Sequence, residues 1–155
     1  MQNVRPTFLT ILCVLTFIGS AWNIYNGIAN YTTSDFSASI VDEQFEQVQD
    51  RLEDQEGGEA AGQMIESVRS SMTPENLKNQ GLATSITGVI TLIGAVLMWG
   101  LRRTGFFIYV VGAVAGVAAP MFIFGGVTGA IMAGGAAFIG ILFVVLYALN
   151  LKHLH

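Results

Sequence analysis

The sequence predicts an all-α integral membrane protein, with four transmembrane helices and a helical extramembrane hairpin between the first and the second. Three observations carry this. The 155 residues are 52% apolar and only 12% charged, where an ordinary soluble domain is about a quarter charged; the mean hydropathy is +0.57. From Gln80 to Leu151 the only formal charges are Arg102 and Arg103. The apolar run on either side of that pair is long enough to cross a bilayer, which takes about 20 residues rising about 1.5 Å each. Third, all 11 acidic residues fall between Asp35 and Glu75, with Arg51, Arg69 and Lys78 as the bases in and beside that segment. The rest of the chain carries Arg5, Arg102, Arg103 and Lys152 and no acid.

The first transmembrane helix is read over residues 7–30, after a short polar leader. A signal peptide is the rival reading, with Gly19, Ser20 and Ala21 as a small-residue cleavage site. Apolar character continues past Ala21 through Trp22, Ile24, Tyr25 and Ile28, which favours an uncleaved helix with Trp22, Tyr25 and Tyr31 near its outer interface. Thr16, Ser20, Asn23, Gly27 and Asn30 recur at steps of 4, 3, 4 and 3 and so share one face. Small and hydrogen-bonding side chains are what membrane helices turn toward each other, because lipid provides no hydrophobic drive for their association. We read this stripe as a packing seam; a polar ligand groove at the outer mouth is the alternative.

Residues 32–73 form the acidic insert. Val41, Phe45, Val48 and Leu52 are spaced 4, 3 and 4 among Asp, Glu and Gln, the pattern of an amphipathic helix over residues 37–55. Gly57 and Gly58 break it, and Ala61, Ile65, Val68 and Met72 repeat the spacing in a second helix. The two stripes either meet in an antiparallel hairpin or serve a partner as a docking face. Binding to the membrane surface is disfavoured, because interfacial helices carry Lys and Arg on their polar face and this one is acidic.

Thr73-Pro74-Glu75-Asn76 has the chemistry of a helix start: a capping Thr, Pro at the first helical position and an acid in the first turn. The second span is therefore read over residues 74–100, followed by a tight basic turn. The third, residues 105–124, is interrupted near its far end by Pro120, and the fourth occupies residues 127–150. The connection at Gly125-Gly126 allows only antiparallel neighbours. Close-approach pairs recur in these two spans: Gly112 with Gly116, Gly129 with Ala133, Ala136 with Gly140.

Arg5, the Arg102–Arg103 pair and Lys152 all fall at membrane edges on the side of both termini, with Lys78 the one exception. The positive-inside rule makes that side the cytoplasm and turns the insert outward, into a periplasm in a Gram-negative cell. The same bases anchor the helix ends to lipid headgroups.

Apart from Glu75 and Lys78, on the part of the second helix that begins outside the bilayer, the predicted spans carry no Asp, Glu, Lys, Arg or His, a group that ion-coupled transporters and proton relays normally keep in the membrane. There is no phosphate loop, no nucleophile elbow and no metal-ligand spacing, so no enzymatic activity, cofactor or metal is expected, and no nucleic-acid partner. Cys13, the single cysteine, reads as a small hydrophobe. His153 and His155 read as a solvated tail. Asp50, Glu53 and Asp54 read as a solvated face rather than a calcium loop.

The opening Arg5-Pro6-Thr7-Phe8-Leu9-Thr10-Ile11-Leu12-Cys13-Val14-Leu15-Thr16-Phe17-Ile18-Gly19-Ser20 and the ending Tyr147-Ala148-Leu149-Asn150-Leu151-Lys152-His153 resemble small uncharacterised four-helix inner-membrane proteins of Bacteroidota. The resemblance implies a bacterial inner membrane, no activity and no functional residues. The expectation for function is an accessory subunit of a larger inner-membrane complex, such as a translocase, a transporter or an envelope machine. A homo-oligomeric channel or small-solute carrier is the alternative.

Overall fold

The computed structural model describes residues 6–53 and 58–154, without the side chains of residues 52, 53, 58 and 59. The described chain is all helical: α1 Thr7–Thr32, α2 Ser34–Glu53, α3 Gly58–Ser71, α4 Pro74–Trp99, α5 Arg103–Phe124 and α6 Gly126–Ala148, with a short 3₁₀ turn at Leu151–His153. Helices α1, α4, α5 and α6 are long and apolar enough to cross a membrane, which is the architecture of a multi-pass membrane protein. Their lengths of 26, 26, 22 and 23 residues correspond to about 33–39 Å, against about 30 Å of hydrocarbon.

The four helices stand in a row. α1 packs along α4, α4 along α5 and α5 along α6, while α1 and α6 meet only slightly. Their meeting point is the end that holds both chain termini, where Leu9, Leu12, Cys13, Met98, Tyr109, Tyr147 and Leu154 form the buried core cluster. The opposite end carries α2 and α3, which pack on each other; α2 also touches α4, and α3 touches α6.

Backbone polar groups have nowhere to go in lipid, and the helix ends show how they are settled. At the end of α1 the Thr32 hydroxyl donates to the Ile28 and Ala29 carbonyls at 3.0 Å, and the Thr33 hydroxyl donates to Ala29 at 2.7 Å. Thr73 caps α4, its hydroxyl accepting from the Asn76 N–H at 3.2 Å, with Pro74 next in line. α4 closes with paired bonds from Arg102 N to Leu97 O (3.0 Å) and Leu101 N to Met98 O (2.9 Å), a Schellman motif. The left-handed position that glycine usually fills is taken by Leu101, at φ 61°; its side chain packs on the core cluster. Between α5 and α6, Gly125 adopts φ 61° and ψ −175°, a region open in practice only to glycine.

The elements differ from the sequence reading at their ends. α2 begins at Ser34 rather than at residue 37, one residue past the end of α1, so the chain bends only at Thr33. Gln55 and Gly57 lie outside the described residues, and Gly58 opens α3. α5 begins at Arg103, and α6 spans Gly126–Ala148. Pro120 does not interrupt α5: the helix continues to Phe124, with Pro120 buried against α6 at Gly129.

Candidate functional site

The α1 stripe shows how the row is held and where it opens. The Thr16 hydroxyl is 2.7 Å from that of Tyr147 on α6, and the Ser20 hydroxyl is 3.0 Å from that of Thr91 on α4. Gly27 lies on the α4 backbone, so that a methyl group there would stand 2.6 Å from the Gly81 carbonyl oxygen. Asn30 flanks the same approach, its Cβ 3.2 Å from where a Cβ on Gly81 would be. Asn23 shares the face, is exposed and makes no side-chain hydrogen bond among the described residues. It lines a cavity of about 310 Å³ that occupies the gap between α1 and α6.

Thr87 and Thr91 line this cavity from α4, Tyr109, Gly112 and Gly116 from α5, and Ala136, Ile139 and Gly140 from α6. Its level is set by pairings across the row: Thr91 with Ser20 on one side and Gly112 on the other. That is the middle of α4, roughly the middle of the apolar layer. The threonine hydroxyls are used within α4, Thr87 donating to Thr84 O at 3.1 Å and Thr91 to Thr87 O at 3.0 Å. Tyr109 is different. The residue is only 6% exposed, and its ring stands edge-on to Tyr147 at 5.0 Å. Its hydroxyl has no hydrogen-bond partner among the described residues. It is not sealed in either: the one sealed side-chain polar atom without a partner among those residues is Gln80 Oε1. Tyr109 is among the residues that line the cavity. Gly116 adds an acceptor to the same wall, because Pro120, four residues on, has no N–H to offer its carbonyl.

Comparison with known protein families, with curated proteins and with solved structures returns no match. The function has to be read from this arrangement itself.

The three small-residue pairs behave differently from one another. Gly112 packs on α4, where a Cβ would stand 2.8 Å from the Thr91 methyl, but Gly116 faces open space. A Cβ on Gly129 would stand 2.9 Å from the Pro120 carbonyl oxygen, and Ala133 is buried. Ala136 and Gly140 line the cavity, and a Cβ on Gly140 would only come into ordinary contact with Ala113, at 3.7 Å. Sequence reasoning missed the glycines that bring α4 against its neighbours. Gly81, Ser85, Gly88, Thr91 and Ala95 recur at steps of 4, 3, 3 and 4, a stripe that matches the one on α1. Tyr109 was also missed, although it is the one polar side chain of α5 beyond Thr104.

On α2, Val41 and Phe45 are half-buried and Val48 is exposed; the side chain of Leu52 lies outside the described residues. Arg69 of α3 clasps α2, its Nε donating to Asp42 at 3.0 Å and its Nη2 to Glu46 at 3.2 Å. The hydrogen bond to Asp42 raises the guanidinium above its ordinary pKa, with the Asp42, Glu46 and Glu66 charges adding to the effect against a desolvation penalty. The stabilisation is thus fully present below the ordinary arginine range and is lost only as pH rises through the raised value. The base of the pair is fastened to the row: the Ser71 hydroxyl donates to the Thr128 hydroxyl at 2.8 Å, and Asn76 Nδ2 donates to Ser71 O at 2.8 Å.

Of the membrane-edge bases, Arg5 lies outside the described residues, and Arg102 and Lys152 are exposed. Arg103 has a further task, since its Nε donates to the Leu154 carbonyl at 2.7 Å and holds the C-terminal turn. Lys78 sits over the Tyr31 ring at 4.9 Å. Asp50 is exposed and His153 is exposed, while Asp54, His155 and the Glu53 side chain lie outside the described residues. Among the described residues no three His, Cys, Asp or Glu side chains come together to hold a metal ion.

Proposed function

We propose that the protein is a non-enzymatic accessory subunit of a larger bacterial inner-membrane complex, with both termini in the cytoplasm and the α2–α3 hairpin in the periplasm. The observation that carries this reading is the way the pair is mounted. Arg69 locks α2 to α3, and Ser71 and Asn76 lock α3 to the spans. The element so mounted presents Val48 (44% exposed) and Met64 (53% exposed) among carboxylates left over once Arg69 has taken two of them. A fixed surface of apolar groups ringed by acids suits a protein partner that brings apolar and basic side chains.

A pull-down in gentle detergent, read by mass spectrometry, tests this. Co-purification of a stoichiometric membrane partner is expected, and recovery of the protein alone at monomer mass would count against it. Phe45→Ala separates core from contact. Half-buried, Phe45 is expected to stabilise the pair by about 1–2 kcal/mol, less than a fully buried Phe. Its loss is expected to raise hydrogen exchange over residues 40–72 and leave α1, α4, α5 and α6 protected. Unchanged exchange together with loss of the partner would instead make Phe45 a docking anchor.

The second reading, a homo-oligomeric channel or small-solute carrier, draws on the cavity between α1 and α6. A stable homo-oligomer that conducts in liposomes would promote it; a monomer without flux would end it.

A further inference from the structure

We infer that the cavity between α1 and α6 is a binding site for a small uncharged molecule carrying a hydroxyl or carbonyl group on an apolar body. The inference rests on neither reading of function, since a subunit and a carrier can each hold such a ligand. Three properties of the cavity define the chemistry. Its polar residues converge: the exposed Asn23 and the buried Tyr109 both line it, and neither side chain has a hydrogen-bond partner among the described residues. Between them they offer N–H and O–H donors and oxygen acceptors. Hydrogen bonds made at this depth are what a hydroxyl or carbonyl entering from lipid lacks, and what an unpaired amide and phenol lack in return. The remaining walls are small and apolar, from Ala113, Ala136, Ile139 and the glycines. A mostly apolar pocket with a few convergent polar groups is the usual form of a small-molecule site, and about 310 Å³ is at the small end of that class.

Charge is excluded. No Asp, Glu, Lys, Arg or His borders the cavity, and an ion brought to this depth without a counter-charge is strongly disfavoured. Size is bounded too. At Gly116 a Cβ would meet nothing within 4 Å, so the space beside it belongs to the cavity and not to a neighbouring helix. Access is lateral: among the described residues α1 and α6 meet only slightly, with a hydroxyl pair at Thr16 and Tyr147, and the gap beside that contact faces the surrounding lipid.

The test uses the full-length protein in lipid nanodiscs and an octanol carrying a diazirine. Photolabelling is expected to saturate, to map to peptides containing Asn23, Tyr109 or Ile139, and to be competed by unlabelled octanol. The matching diazirine octane, without the hydroxyl, is expected to label these peptides at least about tenfold less, the worth of one to two hydrogen bonds. Tyr109→Phe and Asn23→Leu should each weaken alcohol labelling by about the same factor. Because the Tyr109 hydroxyl has no hydrogen-bond partner among the described residues, Tyr109→Phe should keep the wild-type melting temperature, so that a loss of labelling there is a loss of ligand and not of fold. Gly116→Leu, which grows into open space, should abolish labelling at an unchanged elution volume. Equal labelling by alcohol and hydrocarbon would mean that lipid chains merely fill the gap. That result, or full labelling of Gly116→Leu, overturns the assignment.

Discussion

Tyr109 and Tyr147 stand ring to ring at 5.0 Å and yet are used in opposite ways. Tyr147 is wholly buried, and its hydroxyl engages Thr16 across the meeting point of α1 and α6. Tyr109 is nearly as buried, and its hydroxyl has no partner among the described residues. Removing each hydroxyl should therefore give different results. Tyr147→Phe takes away a bond between helices distant in sequence and leaves the Thr16 hydroxyl in an apolar core. In membrane proteins such bonds are worth about 0.6 kcal/mol on average and up to about 1.7; this one, buried and short, belongs at the upper end. Unfolding of the purified protein by a denaturing detergent, followed by tryptophan fluorescence, measures the loss. A Tyr147→Phe protein as stable as wild type would show that the α1–α6 contact rests on the apolar cluster alone.

The helices are brought together by backbone approach rather than by large side chains. Gly27 meets Gly81 between α1 and α4, and between α4 and α5 a methyl on Gly105 would stand 2.5 Å from the Gly94 carbonyl oxygen. Gly81→Val is expected to cost about 2–3 kcal/mol by forcing α1 off α4, whereas Gly116→Ala, beside open space, should be neutral or gain up to about 1 kcal/mol through helix propensity. Thermal unfolding in detergent compares the two. This contrast also marks what could be read in the sequence. Helical class and the four long apolar helices follow from the apolar runs and the sparse charges that bound them, because a spanning segment must satisfy its own backbone. Beyond the α5–α6 pair, which the short Gly125-Gly126 connection fixes, which helix lies beside which does not follow, since in lipid every apolar face is acceptable and hydropathy carries no facing information. The partial guide is the spacing of small residues. It was read on α1 and on α5 and α6, and overlooked on α4, where the stripe from Gly81 to Ala95 is broken up by Ile and Leu. The cavity was illegible for a stricter reason: it is bounded by residues of all four long helices, and no local property of the residues around Tyr109 records that meeting.

Topology is a property of the whole molecule and has a direct test. A Cys13→Ser protein with a single cysteine placed at Ala60, an exposed α3 position, should react with a membrane-impermeant thiol reagent added to intact cells from the periplasmic side. Reaction only after the cytoplasmic face is opened would invert the proposed orientation. The row architecture has one more consequence. α1 and α6 are joined at the end near the termini and parted at the other, where Ser71 ties α3 to α6. The row is thus closed twice, directly at Thr16 and Tyr147 and again through α2 and α3, and without the second closure its two outer helices would be tied by a single clasp.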